Sequence, residues 1–599
     1  MGDHTGALLE LRSWRAFDVD EAGRVLAGSD MSGTVQLVEL APDGTATPLT
    51  ALPGPCTGRY LPFERTVVVE HDDLGFENSR LSLLRLDPLP EHPADLVDLT
   101  PLVGDYEHQY RLLDVLPGRV VYATNRRNGV DFDVVVRNVV TGSEEVVYDA
   151  GGYVRQVTVA RDGRRVLLTR PGIPPMSDQL VLVDGTMPGD DRVRALTRAE
   201  EPARYERPQW CGDRVLVSTD VGRDRTGVVT MDLTGNERRW LVTDDVDLVG
   251  RLAPDGRTLL VVRSEDGADR VLLYDALTGE RRGEIALPGT GVVTWPAPDP
   301  VFSPGGRYVA LSYTAPDTPG DIVLVDLSTG TARTLTDSAG AWSGPPLSHP
   351  ESHRIPTADG ERVPCFVYRP TEPDGSAVII LHGGPESQAV RSFNPVVQAL
   401  VATGHTVLVP NVRGSTGYGK RWYSLDDGRR RLDAVGDLAA LHDALPSLGC
   451  DPARAALWGG SYGGYLVLAG LAFQPERWAA GVDIAGISSL VTFLENTSGY
   501  RRAHREREYG SLTHDRDFLH EASPMNRVHE IRAPLMVIHG ARDPRVPVSE
   551  AEQLAAALTE RGVRCDLIVY EDEGHGLARL PNKLDAYRKA LAFLADALG

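Results

Sequence analysis

"AGRVLAGSD" (22–30), "DGRRVLLTR" (162–170), "DGRTLLVVR" (255–263) and "GGRYVALSY" (305–313) are variants of one phrase, a tight turn followed by a short apolar or alternating strand. Each is answered by a second strand that runs into another turn. Examples are "DFDVVVRNVVTG" (131–142), "RTGVVTMDLTG" (225–235), "DRVLLYDALTG" (269–279) and "GDIVLVDLSTG" (320–330). The glycine after Asp or Thr supplies the left-handed backbone that hairpin turns require. Units of roughly 40–50 residues with about four short strands each predict a β-propeller. Seven units fit, beginning near residues 15, 56, 108, 153, 205, 246 and 297. The second is the least regular, so six or eight blades stay open, and a β-sandwich array is the alternative architecture.

After "SGPPLSHPESHRIPTADGERVP" (343–364) the rhythm changes. Apolar runs such as "AVIILHGG" (377–384), "TVLVPNVRG" (406–414), "AALWGG" (455–460), "AAGVDIAG" (479–486), "PLMVIHG" (534–540) and "CDLIVYEDEG" (565–574) now alternate with helical patterns at 434–445, 549–562 and 582–598. Alternating βα units imply a mostly parallel sheet with helices on both faces. The expected division is therefore a propeller over 1–345 and an α/β domain over 346–599.

The formal net charge of −22 across 599 residues repels phosphate backbones, so nucleic acid is not an expected partner. Five scattered cysteines without CxxC spacing argue against a disulfide framework and a structural zinc site. The start lacks the basic and long apolar segments of a signal peptide, and no apolar stretch is long enough to cross a bilayer. A cytosolic location without membrane association is expected. Oligomeric state is not readable, and a homo-oligomer stays open. No metal site or phosphate-binding loop is recognisable, so no cofactor is implied.

Within the second half, Gly459-Gly460-Ser461-Tyr462-Gly463 fits G-x-S-x-G between an apolar strand and the helical "YLVLAGLAF". That setting predicts a nucleophile elbow, with glycine needed at 459 and 463 for closeness. Serine needs a base, because its hydroxyl is a poor nucleophile at neutral pH. In this topology the partners follow in the order acid, then histidine, each just beyond a strand. Asp543 in "PLMVIHGARDPRVP" and His575 in "LIVYEDEGHG" meet both conditions. Asp572, Glu571 and His539 rank lower, the first two because they crowd the histidine and the third because it precedes the loop. The N–H of Tyr462 and a glycine N–H in "LHGGPESQ" (381–388) would form the oxyanion hole.

Together "HGGPESQ", "NVRGSTGYGKRW" (411–422), "GGSYGGY", "HGARDPRVP" and "EGHG" resemble the prolyl oligopeptidase family of serine peptidases. The resemblance is nearest to its acylaminoacyl-peptidase and aminopeptidase branch. It covers the whole chain, because the family places a β-propeller before an α/β-hydrolase domain. It implies Ser461, Asp543 and His575 as catalytic triad, Gly384 and Tyr462 as oxyanion hole, and Arg545 as a binder of a substrate backbone carbonyl. Val412 and "DDGRRRL" (426–432) depart from the family pattern without touching the triad.

A propeller over the catalytic face would restrict entry to short peptides, giving an exopeptidase or oligopeptidase. Esterase, amidase or acyl-transfer chemistry with the same triad is the second reading, and an inert propeller-based binding scaffold the third. Glu200 and Glu201 read as a solvated turn rather than as an amine-binding pair. Arg501, Arg502, Arg505 and Arg507 are expected to pair with the protein's own acids.

Overall fold

The computed structural model describes residues 4–72 and 75–599. The chain divides into two compact units: Arg12–Ser338, and Ala339–Gly599 together with the N-terminal segment through Leu11.

The first unit is seven four-stranded antiparallel sheets, over residues 14–48, 56–103, 110–148, 156–195, 205–242, 247–285 and 301–334. Every sheet is made of consecutive strands, so the seven-blade count holds and the second blade is as complete as the others. The repeated turns form as their sequence demands: Gly163 and Gly256 sit at φ +70°. Neighbouring blades are joined by side chains that accept backbone N–H groups across the gap. Asp18 accepts from Tyr60 at 2.9 Å, Gln209 from Leu252 at 2.8 Å, and Ser312 from Ala16 at 2.8 Å. The last of these bonds links the seventh blade to the first. Ala16, Val25, Ala310, Ile322 and Leu324 form one buried cluster at the same joint. Arg333 of the seventh blade also donates to the Pro42 and Asp43 carbonyls at 3.2 and 3.0 Å, so closure rests on packing and side-chain hydrogen bonds rather than on a shared strand.

The second unit is one eight-stranded sheet. Its elements are α1 (His4–Leu9), β1 (Glu351–Pro356), β2 (Arg362–Tyr368), β3 (Ala377–Leu381), α2 (Pro395–Ala402), β4 (Thr406–Pro410), α3 (Arg431–Ala444), β5 (Ala455–Gly460) and α4 (Tyr462–Phe473). They continue with β6 (Ala480–Ile484), α5 (Gly499–Tyr509), β7 (Leu535–Gly540), α6 (Ser549–Glu560), β8 (Cys565–Tyr570) and α7 (Leu580–Leu598). The strand order is β1-β2-β4-β3-β5-β6-β7-β8. β1, β2 and β4 pair antiparallel, and every pairing from β4–β3 through β7–β8 is parallel.

Alternation along the strands divides their side chains between two cores. Ile379 packs with Leu438, Tyr465 and Leu554 on one face, while Ile380 packs with Val396, Leu400 and Leu594 on the other. Parallel strands buried on both faces read as continuous apolar runs, as these do.

Two features differ from the expected division. Leu8 and Leu9 are 1% and 5% exposed and belong to the cluster of α2 and α7, so α1 is part of the α/β unit and not of the propeller. A six-residue helix carries too little periodicity to assign it to one half of the chain. The α/β unit also begins at Ala339 rather than 346, and residues 351–368 form the β1–β2 hairpin at the sheet edge. Its strand β1 is mostly exposed, and the edge position weakens the apolar signal.

Candidate active site

β3, β5, β7 and β8 are parallel, so the loops that follow them emerge at one edge of the sheet. Ser461 follows β5 immediately, Gly383 and Gly384 follow β3, Asp543 follows β7, and His575 follows β8.

Ser461 has φ +57° and ψ −117°, a left-handed conformation that costs a non-glycine residue about 1–3 kcal/mol. It is held there by its own N–H donating to the Ile484 carbonyl at 2.8 Å and its carbonyl accepting from Tyr465 N–H at 3.0 Å. The neighbouring glycines make the turn sterically feasible. A Cβ at 459 would enter the Gly463 backbone, and one at 463 would enter the Leu381 carbonyl. Gly464 is confined as well, its Cβ position lying 2.6 Å from Gly486 Cα. Gly460 is different: nothing lies nearer than 3.7 Å. The turn places Ser461 at the start of α4, where the first N–H groups have no helical acceptor and favour negative charge.

The loop after β3 lies against this elbow, with the Gly383 Cβ position 3.5 Å from Ser461 Cβ. His382 anchors the loop: its Nδ1 is 2.8 Å from the Gly383 carbonyl and its Nε2 is 2.8 Å from the Ser415 hydroxyl. Gly384 has φ +135°, and a Cβ there would lie 2.6 Å from Glu386 N. Only glycine fits.

His575 Nδ1 lies 2.6 Å from Asp543 Oδ2. The other carboxylate oxygen accepts from the N–H groups of Arg545 at 2.8 Å and Val546 at 2.9 Å. His539 Nε2 stands 3.5 Å from Asp543 Oδ2 and 2.9 Å from the Val546 carbonyl. Burial alone would raise the Asp543 carboxyl. The hydrogen bonds from His539 and His575 reverse this and hold it well below the usual carboxylate range. His539 itself is raised: burial lowers it, but Asp543 and the Val546 carbonyl more than compensate. Asp483, on β6, is pushed up to about 7 by burial, with His539 opposing.

The lower-ranked acids are engaged elsewhere. Asp572 pairs with Arg579 at 3.1 Å and accepts from Asn582 at 3.0 Å, and Glu571 is exposed. Arg545 contributes its amide to Asp543, while its carbonyl accepts from Thr497 at 2.8 Å. Ser498 donates to the Pro544 carbonyl at 2.6 Å, so the 496–510 segment is fastened to the Asp543 loop. That segment is largely helix α5, from which Arg505 pairs with Glu386 at 3.1 Å. Glu201 accepts from Tyr205 at 2.5 Å and pairs with Arg238 at 3.3 Å, which makes it part of the propeller's own structure.

The residues missed by sequence reasoning lie beneath Tyr462. Arg431, fully buried at the start of α3, forms ion pairs with Asp426 and Glu508. It donates to the Tyr462 hydroxyl at 3.1 Å, and that hydroxyl donates to Asp426 at 3.1 Å. The guanidinium also stacks 5.1 Å from the Tyr462 ring and 4.9 Å from the Tyr509 ring. Asp427 completes a trio of acids with Asp426 and Glu508, and burial together with Glu508 pushes it up to about 7. The network fixes the side chain of the residue whose N–H opens α4. In the sequence, "DDGRRRL" stands out only as a departure from the family pattern, and nothing local links it to Glu508 or Tyr462.

Comparison with known proteins agrees with this geometry. The chain is 29% identical to dipeptidyl aminopeptidase BIII of Pseudoxanthomonas mexicana over 409 residues, covering 58% of this chain and 59% of that one. It is 33% identical to dipeptidyl peptidase family member 6 of Caenorhabditis elegans over 229 residues, covering 37% and 31%. The chain thus spans well under two thirds of the length of these curated relatives. A puromycin-hydrolysing peptidase of Mycobacterium tuberculosis has the same fold, with a TM-score of 0.85 at 20% identity over 99% of this chain and 96% of that one. Residues 391–599, which hold the elbow, Asp543 and His575, match the model of the prolyl oligopeptidase family.

Proposed function

We propose that this chain is a serine peptidase that cleaves short peptides through an acyl-enzyme, acting as an exopeptidase of the aminopeptidase or acylaminoacyl-peptidase type. The observation that carries the reading is the 2.6 Å contact of His575 with a buried, firmly ionised Asp543, at the same sheet edge as a serine held at positive φ. Ser461 attacks the scissile carbonyl. His575 takes its proton through Nε2 and returns it to the leaving amine, while Asp543 holds the ring and stabilises its charged form. The N–H groups of Tyr462 and Gly384 receive the developing oxyanion. Arg545 contacts a substrate backbone carbonyl. The five cysteines are free thiols, which suits a reducing compartment, and we assign the protein to the cytosol.

The test is a panel of aminoacyl, N-acetyl-aminoacyl and dipeptidyl anilides beside short-chain esters, run on wild type and Ser461→Ala. The expected result is anilide turnover by the wild type and a loss of kcat of at least about 10³-fold in the variant. Ester turnover without any anilide turnover would replace the peptidase reading with an esterase.

A further inference from the structure

Residues from all seven blades line a cavity of about 1120 Å³, and among them are Arg59, Arg155, Arg161, Arg165, Arg207 and Arg251. Pockets for small ligands usually measure about 300–1,000 Å³, so this one is ample. Six arginines around one cavity stand out in a chain of net charge −22, and they share it with Asp18, Asp114, Asp162, Asp255 and Asp299.

Four of the six have carboxylate partners, Arg165 pairing with Asp162 at 2.9 Å, and Arg161 donates to the Pro254 carbonyl. Arg207 is held by Asp299 through bonds of 2.5 and 2.9 Å. Arg155 stands 3.3 Å from Asp178, and Arg59 stands 3.6 Å from Asp114. Arg251 is different. Its guanidinium has no hydrogen-bond or ion-pair partner among the described residues, and its Nε is sealed from solvent without an acceptor. Burial depresses its pKa against the pull of Asp299, and Arg207 and Arg59 add to the depression.

The nearby acids have little left to offer it. Asp114 accepts from Val115 N–H at 2.9 Å and Val159 N–H at 3.2 Å, which ties it to the joint between blades. Asp299 already forms its two-pronged pair with Arg207. Arg251 is partly buried with only its Nε sealed, and a guanidinium with a free planar fork matches the two oxygens of a carboxylate.

We infer that the propeller cavity is a binding site for carboxylates, with Arg251 as the residue that receives them. A carboxylate reaches such a site either as the C-terminus of a short peptide or as a free organic acid, and the arms of the test separate these sources. The full chain carrying Ser461→Ala, which removes any turnover, is titrated calorimetrically at constant ionic strength with acetyl-trialanine, its C-terminal amide, and succinate. The same titrations are made with Arg251→Gln added.

Acetyl-trialanine binding that is lost with the amide identifies a peptide terminus, and succinate binding identifies an organic-acid site. Either must weaken at least about 10-fold in Arg251→Gln. Thermal melting of Arg251→Gln is expected at or above the parent temperature, since an unpaired charge is removed. Should that variant melt lower, Arg251→Lys replaces it: keeping charge while losing the fork, it must also weaken binding. Equal affinity with and without the substitution, equal affinity for acid and amide without succinate binding, or no binding by any probe would overturn the inference.

Discussion

At the scale of single residues, the site is an exercise in burying charge selectively. Asp543 stays ionised because two histidines and two backbone N–H groups face it. Asp483 lacks such an array, its Oδ1 is without a partner, and it is pushed up to about 7. The sign of the consequence follows from linkage. An acid whose folded pKa lies above the unfolded value of about 3.9 binds more protons in the folded state, so stability falls as pH rises from that value towards the folded one. The wild type should lose on the order of 3 kcal/mol through Asp483 between about pH 4 and pH 7, and Asp483→Asn should flatten that part of the profile. Urea unfolding at a series of pH values reads this directly, and parallel profiles for the two proteins would contradict it. The placement of Ser461, Asp543, His575 and the Gly383-Gly384 turn just beyond their strands was legible in the sequence, because each is bound to a strand end by motif and order. The mutual influence of Asp483 and His539 was not, since it runs between the adjacent strands β6 and β7.

At the scale of elements, α4 and the turn before it are positioned from two sides. Gly459, Gly463 and Gly464 allow the backbone to approach β3 and β6, and the Arg431 network fixes Tyr462 from below. Removing the arginine while keeping its volume leaves Asp426 and Glu508 buried without a counter-ion. Arg431→Met should therefore destabilise the α/β unit by about 3–5 kcal/mol, read as a lower denaturation midpoint. Melting unchanged from wild type would mean that the network contributes nothing. This device was invisible in the sequence: Tyr462 and Glu508 lie 31 and 77 residues beyond Arg431, and nothing local joins them to it. The strands and helices around it were legible, because period-2 and period-3.6 patterns survive wherever one or both faces are buried. The β1–β2 hairpin, largely exposed on β1, was not.

At the scale of the molecule, the two units were legible from the change of rhythm near residue 350, but the boundary was not a single cut. α1 returns to the α/β unit because Leu8 and Leu9 are buried against α2 and α7. Deleting residues 1–11 should therefore destabilise the α/β unit, not the propeller, by about 3–5 kcal/mol, from the burial of two leucines. Hydrogen exchange localises the effect: faster exchange in α2 and α7 with blades unchanged is expected, whereas faster exchange confined to the blades would refute the assignment. The blade count was legible from the recurring turns, and the unpaired Arg251 was not, because its isolation depends on where the other acids are spent.

The central claim is that Ser461 is an activated nucleophile. It is tested most directly by treating the folded protein with a fluorophosphonate and mapping the adduct by peptide mass spectrometry. A single phosphonyl group on the peptide bearing Ser461 is predicted, absent in Ser461→Ala and slowed at least about 10³-fold in His575→Ala. An unmodified Ser461, or equal labelling in the absence of His575, would contradict it.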